Sequence, residues 1–193
     1  MRFSKLSLLF AALLTGCVGN MNPTGGNSTP DYPYFVTKEP LVVKKISVPV
    51  GTTLTYEESF WKKGEQNKMM SEDKLTGIRF PEGTTINWGG VPVTWISKFF
   101  NSEMHGFSVY ADFNKLDSSQ NNRFTDMWQS CSEDIGIAVK NTDDWSFNPD
   151  NILDVESCSV NYQRYFKNDK HQQSFLDEMY SEMLKSGKQN ASK

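Results

Sequence analysis

Few side chains in this sequence are of the types that commonly carry out catalysis or hold metals. The 193 residues include two histidines, His105 and His171, and three cysteines, so metal centres built from several imidazoles or thiolates are nearly excluded. The sequence also lacks Gly-x-Ser-x-Gly, a phosphate-binding glycine loop, His-Glu-x-x-His and a dinucleotide fingerprint. His105 is the main candidate for a general base, but no serine or cysteine is tied to it by a recognisable spacing. We therefore predict a protein that is not an enzyme, with no catalytic residues, no metal and no cofactor.

Acidic and amide side chains are concentrated in one segment that offers oxygen ligands of the kind calcium prefers. The segment contains Asn141-Thr142-Asp143-Asp144 and Asn148-Pro149-Asp150-Asn151. It lacks the glycine and the closing glutamate of a calcium-binding loop, which favours a polar loop. The adjacent acids Glu133-Asp134 and Asp143-Asp144 would point in different directions on a strand or helix, so we interpret them as a solvated charged surface.

Large aromatic side chains cluster between residues 88 and 107, at Trp88, Trp95, Phe99, Phe100 and Phe107. Exposed aromatics in such a cluster would line a groove for a peptide, a lipid or a glycan, whereas buried ones would belong to the core. We take Trp88, Trp95, Phe99 and Phe100 as the candidate partner-binding residues, with core packing as the alternative.

The N-terminus has the pattern of an export signal. Arg2 and Lys5 form a short positive region, and Leu6 to Leu14 form an apolar run of about nine residues, whereas a membrane-spanning helix needs about 20. Leu14-Thr15-Gly16-Cys17 follows and resembles the lipobox of bacterial lipoproteins, in which a small residue precedes the lipidated cysteine. An ordinary secretory signal cleaved near Gly16 is the alternative.

The resemblance implies that Cys17 becomes the first residue of the mature chain and carries the lipid. Several acyl chains anchor a protein stably, because each buried methylene contributes about 0.8 kcal/mol. In Gram-negative lipoproteins an Asp after the lipidated cysteine often signals retention in the inner membrane, and this position is Val18 here. The resemblance therefore implies an outer-membrane anchor with the body in the periplasm.

With Cys17 lipidated, Cys131 and Cys158 are the remaining cysteines. An exported compartment is oxidising, so this pair predicts a disulfide that stabilises the fold by about 3–4 kcal/mol. A redox pair or a nucleophilic cysteine is the alternative, but the sequence has no Cys-x-x-Cys and neither cysteine has a neighbouring histidine.

Composition divides the chain into four parts. Residues 1–16 are the predicted signal peptide, and residues 17–34 are the lipidated cysteine and a flexible tether, since Val18 to Tyr34 holds three Gly, three Pro and three Asn. Such a tether has an rms reach of roughly 20 Å. Residues 35–185 form a predicted single domain, and the polar residues 186–193 are a predicted frayed tail.

One pattern occurs twice and predicts a strand, a turn and a strand each time. Ile46 to Tyr56 and Ile78 to Trp88 both read Ile-x-apolar-Pro-x-Gly-Thr-Thr-apolar-x-aromatic. Pro followed two residues later by Gly suits a tight turn, and the threonines suit strands. The two copies are either a duplicated β-hairpin or one turn solution reached twice, and a recognition role for the threonines is the less favoured option.

The other periodic segments complete the fold prediction. Strands are predicted at Val91 to Ile96, Phe107 to Phe113, Ile135 to Val139 and Ser157 to Tyr162. A helix capped by Ser118 or Ser119 would bury Phe124, Trp128 and Cys131, and a final helix from Asp169 to Lys185 would bury Phe175, Leu176, Met179, Met183 and Leu184. The segment from Glu58 to Met70 is ambiguous as a helix, because Gly64 interrupts it. The sequence therefore predicts an α+β fold, mainly antiparallel β-sheet, with a C-terminal amphipathic helix and one disulfide.

The charge balance narrows the function. Twenty basic residues against 23 acidic ones give a net charge of −3, which offers no general attraction for nucleic acid. We expect an outer-membrane lipoprotein that binds another protein without catalysis, either an accessory part of an envelope or secretion assembly or a toxin-immunity protein. The alternative is a small-ligand or glycan binder that uses an aromatic groove.

Overall fold

The computed structural model describes residues 33–57, 68–98, 105–116, 123–131, 134–158, 162–163 and 169–191. The predicted fold class is confirmed, because most of these residues form antiparallel strands and the C-terminal helix packs on the sheet. No helix within these ranges is long and apolar enough to cross a membrane. The lipobox, Cys17, the tether up to residue 32, Phe99, Phe100 and the possible caps Ser118 and Ser119 lie outside the described residues. The prediction that the tether extends to residue 34 is wrong at its end, because Tyr34 already belongs to a strand of the sheet and pairs with Thr55.

The described strands form a nine-stranded sheet and a separate two-stranded sheet. The large sheet has the order β1-β4-β5-β7-β8-β9-β10-β11, and β6 pairs with the first part of β7. The strands are β1 (Tyr34–Val36), β2 (Leu41–Val43), β3 (Ile46–Val48), β4 (Thr53–Tyr56), β5 (Leu75–Arg79), β6 (Ile86–Trp88), β7 (Val91–Lys98), β8 (Gly106–Ala111), β9 (Asp134–Val139), β10 (Ile152–Cys158) and β11 (Tyr162–Gln163). The strand predicted from Ser157 thus begins at Ile152.

The inner face of the large sheet is an apolar row that crosses five strands. Leu54 pairs with Ile78, Ile78 with Ile96, Ile96 with Val109 and Val109 with Ile135. All five side chains are fully buried. Because side chains alternate across a strand, the residues next to this row face the opposite side, here called the outer face.

Two helices cover the inner face, α1 (Arg123–Ser130) and α2 (Lys170–Ala191). The predicted α1 stripe is confirmed, with Phe124, Trp128 and the adjacent Cys131 fully buried. Cys158 lies opposite Ile135 in the sheet, and its Sγ is 3.7 Å from the Sδ of Met179 on α2. Helix α2 therefore packs against the inner face.

The predicted disulfide between Cys131 and Cys158 is confirmed. It joins the residue after α1 to the end of β10, with Cα atoms 4.9 Å apart. Both cysteines are fully buried, and the Sδ of Met179 lies 3.8 Å from the Sγ of Cys131. The bridge thus ties the end of α1 to the sheet from inside the core, and α2 packs on it through Met179.

Helix α2 runs to Ala191, so the prediction of a frayed tail from residue 186 is wrong for residues 186–191. Ser186 is 3% exposed, and Gly187 is buried against the loop that follows β9. A Cβ atom on Gly187 would overlap Pro149 and come within 3.0 Å of Phe147. The absence of a side chain at Gly187 is what allows this end of the helix to dock.

The small sheet is a hairpin whose tip carries backbone strain. Lys44 and Lys45 connect β2 to β3 with φ angles of 48° and 67°, in the left-handed region that lysine rarely adopts. Lys44 is buried and pairs with Asp143, while Lys45 Nζ lies 3.0 Å from Asp144 Oδ2. These contacts hold the hairpin tip in place despite the strained backbone.

The repeated sequence pattern forms a strand, a turn and a strand twice, but neither copy is a hairpin. Strand β3 pairs with β2, and β4 pairs with β1 and β5. Strand β5 pairs with β4 and β7, while β6 pairs with β7. The duplicated-hairpin interpretation is therefore wrong, and each turn carries the chain away from the preceding strand.

Candidate functional site

The predicted aromatic patch divides between the core and the outer face. Trp88 is 3% exposed and donates its indole N–H to the backbone oxygen of Trp145 at 2.9 Å. Its ring meets the edges of Phe147 and Trp128 at centroid distances of 4.7 and 6.0 Å. Trp88 is thus a core residue, and its assignment to a partner surface is corrected. Phe107 is also buried, at 1% exposed.

Trp95 lies on the outer face because β7 contains a bulge. Val93 pairs with Ala111 and Trp95 pairs with Tyr110, so β7 has one more residue than β8 between these pairs. Regular alternation along β7 would place Trp95 on the inner face, together with the buried Val93. The bulge moves Ile96 into the core instead and turns Trp95 outward, where it is only partly buried.

Hydrogen bonds hold the bulge in place. The Thr94 hydroxyl donates to the backbone oxygen of Tyr110 at 3.2 Å. The Thr94 backbone oxygen accepts the N–H of Phe80 at 2.9 Å. The extra residue is therefore bonded to both neighbouring strands, which makes the outward position of Trp95 a fixed feature of the sheet.

Gly77 supplies the space that the Trp95 indole occupies. It is the register partner of Thr55 and Ser97 on the outer face. A Cβ atom on Gly77 would lie 3.3 Å from Trp95 Nε1, closer than most side-chain contacts. A glycine inside a strand often marks such a close approach, and here it lets the Trp95 indole pack directly against the backbone of β5.

Three side chains from adjacent strands form a stack on the outer face, which we call the Arg79–Trp95–Tyr110 ladder. Arg79 pairs with Trp95 in the sheet, and Trp95 pairs with Tyr110. The Trp95 and Tyr110 rings are stacked, with centroids 4.3 Å apart and planes at 13°. The Arg79 Cζ lies over the Trp95 ring, 4.3 Å from its centroid. Trp95 therefore has a neighbour on both sides.

Arg79 is the charged member of the ladder. Its side chain is exposed, and within the described ranges no carboxylate lies at ion-pair distance from it. The other described arginine, Arg123, pairs with Glu178 and Glu182. The Arg79 guanidinium is thus positioned by an aromatic ring rather than by an acid.

A groove of about 480 Å³ runs beside the ladder toward the second copy of the repeated turn. Its lining residues are Arg79, Phe80, Pro81, Glu82, Gly83, Thr94, Trp95, Tyr110, Ala111 and Phe113. Lys115 Nζ donates to the backbone oxygen of Gly83 and fixes the turn from outside. The groove is mostly apolar, with Arg79 and Glu82 as its charged side chains.

The other candidate residues are engaged in local structure. His105 is exposed, and its backbone oxygen accepts the N–H of Val139 at 3.0 Å. His171 is exposed on the first turn of α2, where its backbone N–H donates to Asp169 Oδ1 at 3.0 Å. Neither histidine lines the groove beside the ladder.

The side chains of the loop that contains the predicted oxygen ligands are engaged in hydrogen bonds within the protein. Asp144 accepts hydrogen bonds from Ser146, Asn148 and Lys45. Burial raises the pKa of Asp144, but these three bonds outweigh burial and hold the pKa below its usual value. Within the described residues no cluster of three or more His, Cys, Asp or Glu side chains is arranged to hold a metal.

Sequence reasoning found Trp95 but missed the residues that make it part of a site. Arg79, Gly77 and Tyr110 come from strands that the chain reaches at separate points. The one local signal was Gly77, a glycine in the interior of a β-branched segment. The bulge that turns Trp95 outward has no signature in the alternation of residues 91 to 96.

The fold and the site define a mainly antiparallel α+β domain with an aromatic and cationic row on the outer face of its sheet. Comparisons of this chain with protein-family models, with curated protein sequences and with solved structures gave no match.

Proposed function

We propose that this protein is a non-catalytic protein-binding module, anchored in the outer membrane through a lipid on Cys17, and that its contact surface is centred on the Arg79–Trp95–Tyr110 ladder. The observation that carries the proposal is the bulge in β7, which takes a tryptophan out of the core and places it on the outer face. Burying a large aromatic side chain is strongly favourable. A hydrogen-bonded bulge that keeps Trp95 out of the core therefore supports a function for this residue at the surface.

The composition of the ladder supports a protein partner. Tryptophan, tyrosine and arginine are the residues most enriched at the energetic centres of protein interfaces. In the ladder all three occur on adjacent strands and are already stacked. A prearranged stack loses little side-chain entropy when a partner covers it, which favours tight association.

The same geometry disfavours the alternative of a glycan in an aromatic groove. A sugar ring binds by lying flat against an open aromatic face. Trp95 has Arg79 on the side of β5 and Tyr110 on the side of β8. Its ring therefore offers an edge to the groove, which suits packing by a protein side chain better than stacking by a sugar.

The predicted export features fit this role. A lipid on Cys17 and a tether over residues 18–32 would hold the body near the outer membrane while leaving it free to turn toward a partner. The proposal covers both an assembly factor and an immunity protein, because both act by binding, and the identity of the partner distinguishes them.

The test is in-cell crosslinking of the full-length lipidated protein, purification through a C-terminal tag and mass spectrometry of what is retained. We expect a near-stoichiometric protein partner that Trp95→Ala removes. Leu153→Ala is the matched control, since Leu153 is 50% exposed on β10 and lies outside the groove. A single toxin would indicate immunity, and a set of envelope proteins would indicate assembly.

Two outcomes would overturn the proposal. One is the absence of an enriched protein across several growth conditions, which would direct attention to ligand screens with glycans. The other is a partner that Trp95→Ala retains as well as Leu153→Ala does. Thermal unfolding of both variants shows that a lost partner reflects the surface rather than the fold.

A further inference from the structure

We propose that the partner presents an aspartate or glutamate to Arg79, with an apolar neighbour that fills the groove beside Trp95. This inference rests on the proposed function, because it names the chemistry of the partner at the same surface. It begins from the unusual position of Arg79, which is oriented by a tryptophan and has no acidic partner within the described residues.

The guanidinium of Arg79 is held in place from two directions. Its backbone is fixed by pairing with Thr53 in β4 and Trp95 in β7. Its side chain rests over the Trp95 ring, a contact worth about 0.5–1 kcal/mol at an exposed site. The entropy that an arginine normally loses on binding is therefore partly lost already in the free protein.

Stacking on the Trp95 ring does not itself occupy the N–H donors of Arg79. A guanidinium uses its flat face against an aromatic ring, while its five N–H groups lie in the plane. Among the described residues none of these N–H groups is bonded to a carboxylate. Two parallel N–H donors match the two oxygens of a carboxylate, which makes an acid the best-fitting ligand.

The charges around Arg79 define where the acid would sit. On the side of β4 the neighbour is Thr53, which is uncharged and partly buried. Toward the turn, Glu82 also lines the groove and would repel an acid placed there. A partner carboxylate is therefore expected over β4 and β5, and the partner's apolar side chain over Trp95 and Phe113.

Of the two described arginines, Arg79 alone has no carboxylate at ion-pair distance within the described ranges. Arg123, Lys44, Lys45 and Lys98 each pair with a carboxylate. Arg123 is the matched control, because it is also an exposed arginine but is satisfied by Glu178 and Glu182. Replacing Arg123 tests the loss of a surface charge without touching the ladder.

The experiment places a photo-reactive phenylalanine analogue at Ser97, which lies beside Gly77 and Ser108 on the outer face. Full-length protein is irradiated in cells, and the crosslinked peptide of the partner is identified by mass spectrometry. We expect an aspartate or glutamate close to the crosslinked position. Arg79→Gln should lower the adduct yield about tenfold or more, whereas Arg123→Gln should leave it unchanged.

A charge exchange separates a direct contact from an indirect effect on the ladder. Arg79→Glu should abolish the adduct, and replacing the identified partner acid by lysine should restore it. An adduct that Arg79→Gln does not diminish, a partner peptide without an acid, or a failed exchange would overturn this inference while leaving the proposed function standing. If the protein that carries the analogue at Ser97 and no other substitution forms no adduct with a protein, the proposed function is overturned as well.

Discussion

The two copies of the repeated turn form the same local structure but have different surroundings. In the first copy the Thr52 N–H donates to the Pro49 oxygen at 3.4 Å, and in the second the Thr84 N–H donates to the Pro81 oxygen at 2.8 Å. The central glycines, Gly51 and Gly83, have φ angles of +83° and +72°. Both are turns with a left-handed glycine at the third position, as the Pro-x-Gly-Thr pattern predicts.

The first turn is enclosed by a neighbouring segment. The Thr37 hydroxyl donates to the Pro49 oxygen at 2.7 Å and accepts the Thr52 N–H at 3.0 Å. Thr37 and Thr52 are 2% and 0% exposed. The second turn instead lines the groove beside the ladder, where Glu82 and Gly83 are exposed. One sequence pattern thus stabilises the fold in one place and borders the candidate binding surface in the other.

The largest effect is expected at the aromatic residue that ends the second copy. Trp88→Ala should lower the free energy of unfolding by about 3–5 kcal/mol, because it empties a buried site and leaves the Trp145 oxygen without its donor. Trp95→Ala should cost much less, since Trp95 is only partly buried. Urea unfolding of both variants measures the difference, and equal losses would contradict the separation of core from outer face.

The second-largest loss of stability is expected where a neighbouring segment encloses the first turn. Thr37→Val should lower the free energy of unfolding by about 1–3 kcal/mol, because it removes a buried hydroxyl that hydrogen-bonds to two backbone groups of the turn. Thr84→Val is the control in the second copy and should change the free energy of unfolding by less than about 0.5 kcal/mol. If the two substitutions cost the same in urea unfolding, the turns do not differ in the way proposed.

A smaller difference in stability is expected when the central glycine of each turn is replaced by alanine. Either Gly→Ala substitution should cost about 1 kcal/mol, since a left-handed conformation disfavours a side chain. Gly51→Ala should cost more than Gly83→Ala, because its Cβ would lie 3.3 Å from Pro81 whereas that of Gly83 meets nothing within 4 Å. Thermal unfolding of both variants decides this, and equal losses of stability would show that Pro81 moves aside without cost.

The smallest effect on stability at neutral pH is expected from the ionisation of Tyr56, the residue that ends the first copy. Burial raises the pKa of Tyr56 from 10.0 to about 12, and the nearby charge of Glu72 contributes. Above pH 10 the unfolded chain loses this proton more readily than the folded protein, so stability should fall as the pH rises from 10 to 12. Trp88, at the matching position, does not titrate.

Urea unfolding at half-unit intervals between pH 9 and pH 12 checks this expectation. Tyr56→Phe should remove part of the alkaline decline in the free energy of unfolding. A decline of the same size in wild type and Tyr56→Phe would assign it to other groups.

Much of the fold was predictable because it depends on local patterns. Period-two alternation and β-branched residues indicate strands, and the spacing of Leu176, Met179 and Met183 indicates the buried face of α2. The extension of α2 past residue 186 was not predictable, since Ser186 and Gly187 read as polar and helix-breaking. Only the packing of Phe147 and Pro149 against Gly187 explains it.

The candidate site was predictable only in part. The aromatic content of residues 88 to 107 indicated a region, but it did not separate Trp88 from Trp95. That separation depends on a bulge, which changes the face on which every later residue of β7 lies. Arg79 and Gly77 were missed, because their relation to Trp95 exists only through the pairing of β5 with β7.

The sequence by itself determined the fold class, the pairing of Cys131 with Cys158 and the two turns, since each follows from nearby residues or from the number of cysteines left over. The tertiary structure decided which aromatic faces outward, which of the two described arginines has no acid at ion-pair distance among the described residues, and which turn borders the groove. Those outcomes depend on the register between strands that are distant in the chain, and a single extra residue in β7 is enough to change them.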